Sequence, residues 1–168
     1  MGGSRLSKDS TRVEAYGSVD EINSILGLAR SFISDVEIGS VLEELQNDLF
    51  VAGADLAGDK KTVEGPRITR ERVLELERTI DKFENELPAL HVFILPSGGK
   101  GGASLHFARA VSRRAERRIV TLSKKEEIND QLIPYVNRLS DLLFVLARIV
   151  NHREKQTEVQ WHGRQWQE

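Results

Sequence analysis

Apolar residues return at every third or fourth position through five long stretches of this 168-residue chain, a period that commits it to helices. The first stretch runs from about Glu14 to Ser34 and carries Ile22, Leu26, Ala29 and Ile33. The second, from about Ile38 to Ala57, carries Val41, Leu42, Leu45, Leu49 and Ala52. The third follows Thr69, whose hydroxyl suits an N-cap, and carries Val73, Leu76, Ile80 and Phe83. The fourth, from about Gly102 to Lys124, carries Leu105, Ala108, Val111, Ala115 and Ile119. The fifth, from about Gln131 to Glu154, carries Val136, Leu139, Leu143, Leu146 and Val150, with Pro134 near its start, where a missing N–H is tolerated. Each apolar stripe must be covered by another helix. The predicted fold is therefore all-α, a single bundle of long amphipathic helices.

No stretch alternates convincingly as a strand. Val92 to Leu95 is the best candidate, but it is short and isolated before Pro96. The length fits one domain spanning residues 1–168, with an irregular tail from about residue 155. That tail is polar from Thr157 onward apart from Val159, Trp161 and Trp166. There is no internal repeat and no low-complexity tract.

Composition excludes several kinds of chemistry. Without cysteine there is no disulfide, no thiol nucleophile and no thiolate metal site, which fits a reducing compartment. A net charge of -2 disfavours a globally basic nucleic-acid binder. No apolar run approaches the roughly 20 residues of a membrane span. The N-terminus lacks a signal pattern, and Leu6 stands where myristoylation wants Ser or Thr. The expectation is a cytoplasmic protein with neither nucleic acid nor membrane as partner.

The charge is nonetheless uneven. Residues 109–118 hold five Arg and one Glu. Arg109, Arg113 and Arg117 fall at i, i+4 and i+8, so they share one helix face over about 12 Å, at ~1.5 Å per residue. That length suits an extended polyphosphate. Stacked like charges destabilise a bare helix, so acidic neighbours such as Glu116, or a bound anion, must offset them. A solvated face with surface ion pairs explains the spacing equally well. Arg114 and Arg118 lie off the stripe and read as surface or interface residues.

Three further features border on chemistry. The stretch Pro96 to Gly102, PSGGKGG, leads into the fourth helix, and helix N-termini attract anions. It is not a Walker motif, because Gly101 follows the Lys, and a tight connection is the simpler reading. Asp20-Glu21-x-Asn23 on the first helix would meet an arginine of the fourth if it is functional. Asn137 and Asp141, at i and i+4 beside an apolar stripe, must be satisfied by a structural network or by a ligand. The histidines, His91, His106, His152 and His162, form no zinc-binding pattern.

Together these features resemble the ATP:cob(I)alamin adenosyltransferases of the propanediol-utilisation type, from about Gly2 to Arg153. The resemblance is carried by GGSRLSKDSTRVEAYGSVDEINS at the start, FILPSGGKGGASLHFARAVSRRAERR in the middle and VNRLSDLLFVLAR in the fifth helix. It implies a five-helix bundle that trimerises, with ATP and cob(I)alamin as substrates bound between subunits. It implies that Lys8 meets the phosphates and that Arg113, Arg114, Glu116, Arg117 and Asn137 surround ATP. Arg109 would pair with Asp20 of a neighbouring subunit, and Phe93 would lie under the corrin and exclude its lower axial ligand. Magnesium would be held mainly by the phosphates, with no dedicated protein metal site. A reductase or a cobalamin-dependent mutase is the expected protein partner. The family's Thr- and Gly-rich phosphate loop would precede the point where this chain starts; Met1 abuts Gly2-Gly3-Ser4, so that loop is expected to be absent. A DxHxxG base-off motif is absent. The competing reading is a non-catalytic bundle that binds nucleotide or corrinoid as a sensor or carrier.

Overall fold

The computed structural model describes residues 7–58 and 65–163. Five helices follow in order: α1 Thr11–Arg30, α2 Val36–Ala57, α3 Arg70–Glu84, α4 Lys100–Ser123 and α5 Leu132–Arg153. Three are started by side-chain caps. Ser10 accepts from the Val13 amide at 3.3 Å, Asp35 from Ile38 at 3.1 Å and Thr69 from Arg72 at 3.4 Å.

The boundaries differ from the sequence expectation by two to four residues at several helix ends, and packing explains two of them. The first helix ends at Arg30 rather than Ser34, because Asp35 already caps the next one and Ile33 turns inward against α4. The fourth starts at Lys100, taking Gly101 and Gly102 into the helix. Both glycines are needed for close approach: a Cβ on Gly101 would lie 2.6 Å from the Ile33 side chain, and one on Gly102 would lie 2.2 Å from Asn151. The loop thus turns only at Gly98, at φ +108°, and elsewhere it packs.

Helix α5 is the centre of the bundle. It packs on α4 and α3, while α1 lies against α4 and α2 against α1. From Leu142 to Asn151 every residue but Phe144 is buried, as a helix surrounded on all sides must be. Leu139, Leu143 and Leu146 are fully enclosed, and burying such a side chain contributes about 1.5–3 kcal/mol.

Polar groups inside the bundle are paired across helices. Tyr135 donates its hydroxyl to Asp48 at 3.0 Å, and Arg72 clamps the same carboxylate at 2.6 Å, tying α5, α2 and α3 together. Arg12 donates to the Leu56 carbonyl at 2.6 Å, satisfying the end of α2, and pairs with Glu126 at 2.6 Å.

The tail forms no helix or strand among the described residues, but it does not hang free. Val159 to Trp161 lies antiparallel to the segment Phe93 to Leu95, joined by an isolated bridge between Ile94 and Gln160. Leu95 N–H donates to the Val159 carbonyl and Trp161 N–H to the Phe93 carbonyl, both at 2.8 Å. The isolated strand candidate finds its partner more than sixty residues along the chain, where no local pattern can point.

Candidate active site

Helix α4 carries the arginines, and the two neighbouring helices sort them. Arg114 pairs with Glu21 and Arg118 with Glu14, both carboxylates standing on α1. These pairs offset the repulsion within the cluster. Arg114, Arg117 and Arg118 line a polar surface pocket of about 540 Å³ with Asp9, Thr11, Glu14 and Thr121. Arg117 has no carboxylate partner among the described residues, so its charge is available there.

Arg109 and Arg113 turn the other way. They line an open cleft of about 780 Å³ whose apolar wall includes Phe93, Leu90, Ile94, Ile80 and Phe144. The Arg109 guanidinium lies 5.9 Å from the Phe144 ring centre, and its Nε is buried without a partner among the described residues. Phe93 is 78% exposed and presents its ring to this cleft from the connection between α3 and α4. The opposite rim is charged. Arg138 bridges Glu77 at 2.9 Å and Asp141 at 2.7 Å.

Asn137 donates to Glu116 Oε1 at 2.9 Å, joining α5 to α4 between Arg113 and Arg117. Asn137 and Asp141 therefore form no pair with each other, since each has its own partner on another side chain. Lys8 is exposed in the turn ahead of α1, next in sequence to Asp9 of the polar pocket. Asp20 is exposed on a different surface, in a groove between α1 and α2 with Tyr16, Phe50 and Gly53. Within one chain it does not meet Arg109. The glycine loop binds itself: the Gly99 amide donates to Asn151 at 3.1 Å, and Asn151 donates to the Ser97 carbonyl at 3.1 Å.

His106, one turn before Arg109, is buried with its ring 5.9 Å from Phe144. Burial, helped by the charge of Arg109, pushes its pKa down to about 4. The imidazole is therefore neutral at ordinary pH. Among the described residues no three His, Asp or Glu gather as a metal cage, and no helix is long and apolar enough to cross a membrane.

Sequence reasoning missed Glu77 and Phe144 in the cleft and Trp161 behind Phe93, and it met Arg138 only as part of the stretch Asn137 to Asp141. Arg138 and Phe144 sit in the fifth stretch as one surface charge and one apolar residue among many. Only the packing of α3 and α4 against α5 gathers them.

Fold and site together define a helical-bundle protein with an arginine-lined polar pocket and an apolar cleft sharing one helix. The chain belongs to the cobalamin adenosyltransferase family: the family model described as "Cobalamin adenosyltransferase" matches residues 1–150. It is 44% identical over 165 residues to the corrinoid adenosyltransferase of Bacillus subtilis, covering 95% of this chain and 84% of that one. It is 40% identical over 163 residues to the corrinoid adenosyltransferase MMAB of Bos taurus, covering 93% of this chain and 68% of that protein. Among solved structures, a phenylalanine-to-alanine variant of the PduO-type ATP:corrinoid adenosyltransferase from Lactobacillus reuteri, complexed with cobalamin and ATP, superposes with a TM-score of 0.88. That match is 38% identical and covers 94% of this chain and 90% of that one.

Proposed function

We propose that this protein transfers the 5′-deoxyadenosyl group of ATP to the cobalt of cob(I)alamin, forming adenosylcobalamin and releasing triphosphate. One observation carries the reading beyond family membership. On α4 the arginines divide between a polar pocket and an apolar cleft, with Arg113 and Arg117 only about 6 Å apart along the axis, at ~1.5 Å per residue. A polyanion in the pocket and a broad apolar ring in the cleft would meet at that helix.

The reaction needs no protein nucleophile. The cobalt(I) electron pair attacks C5′, the C5′–O bond breaks, and its electrons leave on the triphosphate. Arg113 and Arg117 stabilise that charge, with Lys8 and Arg114 at the phosphates. Arginine suits this because its planar fork bonds phosphate oxygens in pairs and never loses its charge. Fixed charges aimed at the leaving group are worth more in a site that excludes water. Glu116 and Asn137 hold the adenosine side. Phe93 covers the lower face of the corrin and excludes its axial ligand, which favours four-coordinate cobalt. Magnesium, held mainly by the phosphates, would add neutralising charge to the leaving group.

Arg109 and Asp20 complete the site across a homotrimer. What supports this is that Asp20 has no partner among the described residues, while Arg109 leaves Nε unbonded. The working compartment is the cytoplasm, and a reductase that delivers cobalt(I), or a mutase that receives the product, is the fitting partner.

The test is direct. Purified protein with ATP, magnesium and chemically reduced cobalamin forms adenosylcobalamin and triphosphate in equal amounts. Tight cobalamin binding with no product would favour a carrier and sink the enzymatic reading.

A further inference from the structure

Phe93 faces the cleft from a connection without helix and is 78% exposed. A ring that exposed would ordinarily sample several rotamers. Here the tail lies alongside. The Trp161 ring meets Phe93 edge-on, with centroids 6.2 Å apart and planes at 73°. That geometry brings the positive edge of one ring to the negative face of the other. Trp161 does not line the cleft itself and reaches it through Phe93.

The backbone around the pair is held at several points. The Phe93 carbonyl accepts from Trp161, and Leu95 donates to Val159. Ser97 Oγ donates to the Leu95 carbonyl at 3.0 Å and accepts from the Val159 amide at 3.4 Å. The tail is anchored to α5 where Glu158 accepts from the buried Arg148 at 3.3 Å. Arg148 also donates to the Pro88 carbonyl at 3.1 Å, so one guanidinium holds both the tail and the connection that carries Phe93.

We propose that Trp161 is a positioning residue that fixes the Phe93 ring in the corrin cleft, making the C-terminal tail part of what sets the coordination of bound cobalt. This rests on reading the cleft as the corrin site with Phe93 beneath the ring. The tail then acts on the corrin side of the reaction and leaves the nucleotide side alone.

The test compares full-length Trp161→Ala, Trp161→Phe and Phe93→Ala. Two quantities are read: the kinetic constants for cob(I)alamin and for ATP, and the absorption spectrum of cob(II)alamin bound with ATP, which reports the four-coordinate fraction. Trp161→Ala is expected to lower kcat/KM for cob(I)alamin by about 2- to 10-fold, the size an aromatic pair supplies, with a smaller four-coordinate fraction and an unchanged KM for ATP. Trp161→Phe restores most of both. An unchanged spectrum in Trp161→Ala, or equal losses toward ATP and cobalamin, would overturn the proposal while Phe93→Ala still shows its effect. A silent Phe93→Ala would instead overturn the reading of the cleft, and the proposal with it.

Discussion

The side-chain amide of Asn137 donates to Glu116 Oε1 at 2.9 Å, and this contact closes the seam between α5 and α4 just before Arg117. It places a carboxylate among like charges that would otherwise repel along the helix. The seam continues to Asp141 and Ser140, which line the same cleft as Arg113.

Arg113 stands beside that seam without a carboxylate partner among the described residues, whereas Arg118 is already neutralised by Glu14. Arg113→Ala should therefore lower kcat by about 10²- to 10³-fold, as loss of a preorganised charge donor does. Arg118→Ala should stay within roughly tenfold, since a surface pair contributes little. Steady-state kinetics on both variants decides it; equal losses would mean that the two faces of α4 have been misassigned.

Two glycines in helices should respond with opposite sign. A Cβ at Gly102 would lie 2.2 Å from Asn151, the residue that holds the glycine loop, so Gly102→Ala should cost about 1–3 kcal/mol. At Gly39, at the end of the first turn of α2, a Cβ meets nothing within 4 Å, and Gly39→Ala should gain about 0.5–1 kcal/mol. Urea midpoints measure both.

The depressed pKa of His106 makes acid stability readable. The folded ring takes a proton only near pH 4, but the unfolded chain takes one near 6.5. Between those values the unfolded chain binds more protons, so stability falls as pH drops through the window and is untouched above it. The full contribution is about 3 kcal/mol, at ~1.36 kcal/mol per unit. Relative to wild type, His106→Leu should look better at pH 4.5 than at pH 7 in denaturant titrations. A pH-independent difference between the two proteins would contradict the neutral buried ring.

Tyr135 is fully buried, and Asp48 is its acceptor. Tyr135→Phe should cost about 0.5–1.5 kcal/mol, because Arg72 still satisfies the carboxylate. Asp48→Ala should cost more, since it strands the buried Tyr135 hydroxyl and leaves Arg72 with Glu75 alone. Thermal unfolding that ranks the two in reverse would show that Arg72 does not hold the network.

Much of the fold was legible in the chain. The apolar stripe of each helix is local, so Leu139, Leu143 and Leu146 could be assigned inward from spacing alone. The caps Ser10 and Asp35 shifted boundaries by a few residues, because a cap is a single hydrogen bond and carries little pattern. The site was legible only where one helix supplied it. Arg109, Arg113 and Arg117 appeared as a stripe, yet Arg113 and Arg117 part toward different pockets, because a 40° offset per i+4 step is enough to turn from one helix seam to the next.

The sequence alone determined that this chain is a bundle of five amphipathic helices carrying a dense arginine cluster and no thiol chemistry. These are properties of composition and period, and period is fixed by backbone geometry. Only the tertiary structure decided that Arg114 and Arg118 are bound to α1, that Asn137 serves Glu116, and that Trp161 stands against Phe93. Those pairings join residues between 21 and 104 positions apart, bringing them together only when burial of the helix stripes has already set which faces meet.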